Sequence, residues 1–392
     1  MRSFVNGALP FLVAVLAATG APAADLADLR GKKLIEYGWD VPNPAQLQAG
    51  QKAMEQRPFE GVIYRLDGGY NAFVTKPLTP AAFAEDQRIL KSLRFERFNE
   101  NFVLIWGSPP PGWDWFDDAQ WKAVEGNARL LVRAARSGPL AGICFDPEPY
   151  DFDLWNYAKQ PRASSRSFAE YRAQVRKRGA QLMRAFEKSL PAAVILTFFH
   201  VSLMGDLADV PEPERGKRLQ ERSWGLMPDF FVGMLEGASH GARFVDGNEM
   251  AYYTTTREQY FRAYHAIRSR ARLLIPPELR PKYDRQVQVG MALYVDQNFA
   301  LRQPNPESYT SYRMSPVERA RWFEHNTYWA LYTTDKYVWC YSERMSWWKR
   351  ETPPGLEEAI VSARRKISQG APLGFEIEPL LKEAEARPQP PK

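Results

Sequence analysis

The segment Asp146-Pro147-Glu148-Pro149 follows an apolar run, Ala141 to Phe145, and further acids come at Asp151 and Asp153. Two carboxylic acids one residue apart point the same way if the run is a β-strand, because side chains alternate between its faces. Their carboxyl groups then stand about 7 Å apart along the strand. Nearby carboxylates push each other's protonation apart, so one can keep its proton near neutral pH while the other is charged. That is the chemistry of general acid and base. In this reading Glu148 is the protonated acid and Asp146 lies deeper, ionised or sharing the proton. Pro147 and Pro149 restrict the backbone and hold the pair. The plainer alternative is that Asp146 caps the next helix and Glu148 is a surface residue.

A strand ending in acids must be placed by a larger framework, and the chain supplies one. Eight β-branched and aromatic runs are strand candidates: 33–40, 61–67, 102–108, 141–146, 193–202, 242–249, 286–296 and 337–343. Between them lie amphipathic helix-length segments, among them 79–93, 117–137, 167–190, 255–274 and 315–332. Thr79-Pro80 and Ser315-Pro316 fit an N-cap followed by proline in the first turn, and Ser315 with Glu318 fits a capping box. Strand followed by helix, repeated around the chain, predicts a (β/α)8 TIM barrel. The competing fold, an open doubly wound sheet, lacks the glycine-rich phosphate loop expected after its first strand.

Such a barrel gathers its strand ends on one face, where sites are built. The ends carry Trp39 and Asp40, Tyr64 and Arg65, Trp106, His200, Asp246 and Glu249, Tyr294 and Asp296, and Trp339 and Glu343. Carboxylates and aromatic rings from nearly every strand exceed what helix capping requires. Asp246, Glu249, Glu343 and Asp296, in that order, are the candidate partners of the Asp146–Glu148 pair. For each, an ion pair with an arginine is the alternative. Trp39, Trp106 and Trp339 suit stacking on flat apolar faces. Arg65 could position an acid, bind an anionic ligand or pair with Asp67. Trp113 and Trp115, in the stretch 112–121, are expected in a loop that walls the site.

Ala141-Gly142-Ile143-Cys144-Phe145-Asp146-Pro147-Glu148 is similar to the fourth-strand signature of family-18 (chitinase-like) glycoside hydrolases, Asp-Gly-x-Asp-x-Asp-x-Glu. Gly142, Asp146 and Glu148 match; Ala141 and Cys144 stand where the first two aspartates would be. The resemblance implies Glu148 as proton donor, Asp146 as its helper and Trp339 as a sugar platform. The segment also resembles the fourth strand of other sugar-cleaving TIM barrels. In one group the acid glutamate lies in Asn-Glu-Pro, from which Pro147-Glu148-Pro149 departs at the asparagine. In another, a fourth-strand aspartate is the nucleophile and a sixth-strand aspartate the acid, roles that would fall to Asp146 and Asp246. Glycoside cleavage needs two carboxyl groups across the bond, about 5–5.5 Å apart for retention and about 6.5–9.5 Å for inversion.

The expected function is therefore hydrolysis of glycosidic bonds in a poly- or oligosaccharide. A carbohydrate-binding barrel without catalysis is the alternative, and a metal-dependent phosphodiester hydrolase a third reading. Composition narrows the classes further. The net charge is +6, but Lys and Arg are interleaved with acids and form no basic stripe, so no nucleic-acid partner is expected. The two cysteines, Cys144 and Cys340, fall in separate apolar strands and read as buried hydrophobes. His200, His240, His265 and His325 show no paired ligand spacing, so neither metal nor cofactor is expected. Arg2, an apolar run and Ala21-Pro22-Ala23 form the pattern of a signal peptide over 1–23. This implies a secreted or periplasmic protein without stable membrane insertion, its barrel over 24–370 and a poorly ordered tail over 371–392.

Overall fold

A computed structural model describes residues 31–302, 310–349 and 351–388. The signal-peptide segment lies outside them. The strands are β1 (Lys33–Gly38), β2 (Gly61–Tyr64), β3 (Phe102–Trp106), β4 (Gly142–Asp146), β5 (Val194–Thr197), β6 (Arg243–Asp246), β7 (Val287–Val289), β8 (Met291–Tyr294) and β9 (Tyr337–Ser342). They form one sheet in the order β7-β6-β5-β4-β3-β2-β1-β9-β8, and every pairing is parallel.

The two ends of that order are consecutive in the chain, so the sheet closes on itself as a (β/α)8 barrel. The expected strand 286–296 is in fact two strands interrupted at Gly290. The first half pairs with β6 and the second with β9. Gly290 donates its amide to Asp246 O at 2.8 Å. A Cβ there would lie 2.8 Å from that same oxygen and 2.8 Å from Val245 Cγ1, so only glycine lets the stave switch neighbours.

Helices coat the barrel and are capped much as their sequences suggest. Pro316–Thr333 begins with a capping box between Ser315 and Glu318, and Asp117 caps Asp118–Ala135 by accepting from the Ala119 and Gln120 amides. Thr79 makes no side-chain cap; it precedes a short 3₁₀ turn, Pro80–Phe83, before the helix Ala84–Ser92. The stretch between β5 and β6 adds Glu214–Gln220 and Met227–Gly237. The latter packs backbone to backbone on the long helix Phe168–Ser189: a Cβ on Gly233 would meet Arg176 O at 1.9 Å.

One expectation for this layer is corrected. Trp113 and Trp115 do not wall a site. Both are fully buried with Phe73, Trp121, Trp155 and Phe230 between the helices and the sheet. Their spacing from charged neighbours suggested a loop, but six large rings bury more apolar area together than a solvent-facing wall would. The segment after 370 carries the helix Glu378–Ala386, whose Leu381 and Ala384 join a small apolar cluster with Met314 and Trp322. Among the described residues, no helix is long and apolar enough to cross a membrane.

Candidate active site

Strand register fixes which side chains enter the barrel. Leu104 pairs with Cys144 and Trp106 with Asp146; Ile35 pairs with Trp339 and Tyr37 with Tyr341. Paired residues of neighbouring strands share a face. Tyr37, Trp106, Asp146, Trp339 and Tyr341 therefore all face inward, and Asp146 points into the mouth as its strand pattern requires. A cavity of about 890 Å³ opens there, lined among others by Tyr37, Trp39, Asp40, Arg65, Tyr70, Trp106, Glu148, Tyr150, Phe198, Glu249, Tyr252, Trp339, Tyr341, Trp348 and Lys349.

The turn after β4 is built around the acid pair. Asp146 Oδ1 accepts the Glu148 amide at 2.9 Å, folding the prolyl segment back on itself. Ser108 Oγ accepts the Tyr150 amide at 3.0 Å, and Trp155 Nε1 donates to Pro147 O at 2.7 Å. The two prolines thus cost no ladder bonds, and neighbouring loops pin the segment. This brings the Tyr150 hydroxyl between both acids, 2.8 Å from Asp146 Oδ2 and in hydrogen-bonding contact with Glu148 Oε2. One phenol proton cannot serve two carboxylates. The chain of bonds closes only when a carboxyl group contributes the second proton.

Electrostatics says which groups hold protons. Burial, and after it the charge of Glu148, pushes Asp146 up to about 7 despite its hydrogen bonds from the Glu148 amide and Tyr150. Glu249 is pushed up to about 8 by burial and by the charges of Glu148 and Asp146. Glu249 therefore feels both acids of the β4 turn, and it shares the pocket wall with Glu148. Glu249 reaches it through a turn after β6. Asn248 adopts the left-handed conformation (φ 47°), which asparagine tolerates, and its amide bonds Asp246 Oδ1 at 3.2 Å. The Glu249 amide then donates to Phe198 O at 3.1 Å.

Aromatic rings make the walls. Phe198 stacks on Trp339 at 4.5 Å, Tyr252 on Tyr341 at 5.4 Å, and Tyr150 leans on Trp106 at 4.6 Å. Trp339 is fixed by its Nε1 donating to Gly247 O at 2.8 Å. Trp39 is 77% exposed at the rim, its Nε1 bonded to the Tyr341 hydroxyl. Asp40 accepts from Ser346 Oγ at 2.6 Å, and burial holds it above the usual aspartate range.

Six residues expected at the site do not line its pocket. Tyr64 alternates with the inward Ile63 and Arg65, so it faces the helices, its hydroxyl 3.5 Å from Ala135 O. Asp246 pairs with Thr197, which pairs with the outward Phe145, so it too is buried on the helix side. Burial raises it to about 6, opposed by hydrogen bonds from Ser202 and the Asn248 amide. His200 packs between Phe231 and Phe244, and burial lowers it to about 3, so its imidazole is neutral. Asp296 accepts the Glu343 and Arg344 amides at 2.8 and 2.9 Å. Glu343 accepts from the Tyr294 hydroxyl at 2.8 Å, and Tyr294 itself faces inward but is covered by Tyr252 and Tyr341.

Sequence reasoning missed Tyr70, Tyr150, Phe198, Tyr252, Trp348 and Lys349 as wall residues. Tyr150 had a signal: it directly follows the acid–proline segment. Tyr252 lies in the short 3₁₀ helix Glu249–Tyr253 and the others in loops, whose paths no periodicity reveals.

No protein-family model matches this chain, and no curated protein matches it. Among solved structures it is similar to the exo-β-1,4-mannosidase Op5Man5 from Opitutaceae bacterium strain TAV5, with a TM-score of 0.43 and 13% identity over 86% of this chain and 60% of that one. The chain thus spans three fifths of that protein's length. It is also similar to a Bacteroidetes-affiliated GH5 cellulase linked with a polysaccharide utilization locus, with a TM-score of 0.43 and 10% identity over 92% of this chain and 97% of that one.

Proposed function

We propose that this chain is a glycoside hydrolase acting on a poly- or oligosaccharide, with its reaction centre in the barrel mouth. One observation carries the reading: Glu148 and Glu249, from strand ends two staves apart, line one aromatic-walled pocket, where burial and the charges of Glu148 and Asp146 raise Glu249 to about 8. Glu249, raised to about 8, is the proton donor to the departing glycosidic oxygen. Glu148 is the group that activates water or attacks the anomeric carbon. Asp146, protonated through the lower part of the neutral range, donates to the Tyr150 oxygen. That phenol in turn donates to Glu148 and orients it.

This assignment moves the acid from Glu148, where the family-18 resemblance implies it, to β6. The support is the charge coupling of Glu249 to the β4 pair. It keeps the second scheme of the sequence reading, with Glu148 and Glu249 in place of Asp146 and Asp246. Tyr37, Trp106 and Tyr341 are part-exposed in the pocket and offer ring surface to the apolar C–H patch of a sugar, Trp39 extends that surface at the rim, and Phe198 and Trp339, nearly buried on each other, form the floor beneath. The leader pattern of the first 23 residues supports export to the periplasm or the medium.

Glu148→Gln and Glu249→Gln, assayed on a panel of glycans and on a dinitrophenyl glycoside, test the roles. Each substitution is expected to lower kcat on natural linkages about 10²- to 10⁴-fold. Glu249→Gln should recover most of its rate on the dinitrophenyl substrate, whose leaving group needs no proton, and should lose the alkaline limb that the wild type shows near pH 8. Glu148→Gln should be as slow on both. Undiminished turnover in either variant would remove that residue from the mechanism. Glycan binding with no product by the wild type would make the protein a sugar-binding barrel.

A further inference from the structure

Arg65 follows β2 and, alternating with Tyr64, turns into the mouth pocket. Asp67, two residues on, is the expected partner, but no ion pair forms. Asp67 Oδ1 instead accepts from the Asn43 side-chain amide at 3.1 Å. Among the described residues, Arg65 has neither an ion pair nor a side-chain hydrogen bond. Its guanidinium stands over the Tyr70 ring, 5.7 Å from the centroid. Stacking fixes the guanidinium and leaves its N–H edge free. Nor does Arg65 serve the acids, for the groups acting on Asp146 and Glu249 are carboxylates and neutral donors. Lys349 lines the same pocket, and its charge reaches Asp40.

The pocket is thus divided. Its β4–β6 side carries Glu148 and Glu249; beyond β2, Arg65 presents an uncommitted guanidinium, while the Lys349 ammonium acts on Asp40 at the end of β1. A neutral sugar filling the pocket would strip water from Arg65 and return no charge to it, which is costly. An oxyanion on the sugar would accept from the guanidinium fork through paired charge-assisted hydrogen bonds.

Resting on the glycosidase reading, we infer that the substrate is an acidic glycan whose oxyanion, a uronate carboxylate or a sulfate ester, is held by Arg65 while the scissile bond lies between Glu148 and Glu249.

Two matched pairs of oligosaccharides test this on the full-length protein: uronate-bearing chains against the same chains with the carboxyl reduced to an alcohol, and sulfated chains against their desulfated forms. The expected result is a kcat/KM ratio of about 10- to 100-fold in favour of the anionic member of one pair, from hydrogen bonds to a charged group. The pair that discriminates identifies the oxyanion. In Arg65→Gln that ratio should collapse toward one, whereas Arg65→Lys should keep part of it. Because a ratio is read on the same preparation, partial misfolding does not imitate the effect. Equal rates on both members of both pairs, or a ratio unchanged in Arg65→Gln, would overturn the inference. If no member is cleaved, the glycosidase reading fails, and the same affinity ratios measured by calorimetry decide the oxyanion site separately.

Discussion

Two clusters at the barrel's strand ends are made of the same parts: a tyrosine, an aspartate and a glutamate. In one, Tyr150 joins Asp146 and Glu148; in the other, Tyr294 bonds Glu343 while Asp296 sits beside it. The difference is where the carboxyl oxygens are used. Both oxygens of Asp296 accept main-chain amides of the segment after β9, so that acid is a clamp between two strand ends. Asp146 gives one oxygen to its own turn and the other to a phenol that reaches a pocket-lining acid. Tyr294 is covered by other rings, whereas Tyr150 is 49% exposed at the mouth. Residue types that could do chemistry become structural when backbone donors consume their lone pairs.

The sharpest way to break this comparison is pH. The folded-state pKa of Asp146, about 7, lies above its ordinary value of 3.8. The folded protein therefore binds the extra proton between those values. The group's stabilising share is complete below about pH 4 and is lost as pH rises through about 7. Asp146→Asn, which keeps the shape of the protonated acid, should exceed the wild type in stability at pH 8 by about 2–4 kcal/mol. At pH 4 the two should nearly agree. Parallel stability-versus-pH curves from urea melts would show that Asp146 is an ordinary ionised aspartate, like any surface acid.

Next in size is Tyr150→Phe. It removes the hydroxyl between the two acids and should lower kcat about 10- to 100-fold, with a smaller change in KM, by leaving Glu148 unoriented. A rate equal to the wild type's would reduce Tyr150 to a packing residue. The smallest effect is expected at the other cluster. Asp296→Asn should cost about 1–3 kcal/mol of stability because one amide loses its acceptor. It should leave kcat per folded molecule nearly as it was. A fall in kcat without a fall in Tm would erase the distinction between the clusters and return Asp296 to the site.

Part of the arrangement at the strand ends is local in origin. Alternation along Ile143–Asp146 is enough to aim Asp146 into the barrel, because Cys144 faces inward opposite Leu104. The same rule applied to β6 would have excluded Asp246, but it needed a register, and register is set by pairing with β5 and β7 rather than by β6 alone. Residue type alone makes Glu249 a candidate; what places it in the pocket is the left-handed turn at Asn248 and its amide bond to Phe198. Trp113 and Trp115 show the opposite failure. Tryptophans in a polar stretch read as a wall, while the sheet and two helices claimed them for the core.

By itself, then, the order of residues determined a parallel barrel and a proline-braced acid pair at the end of its fourth strand. Both follow from short-range rules, the period of a strand and the stiffness of proline. Only the tertiary structure decided which distant acid joins that pair, which tyrosine bridges it and where the protons reside. Those outcomes depend on burial and on charges brought together from strands far apart in the chain, and such sums exist only once the barrel has closed.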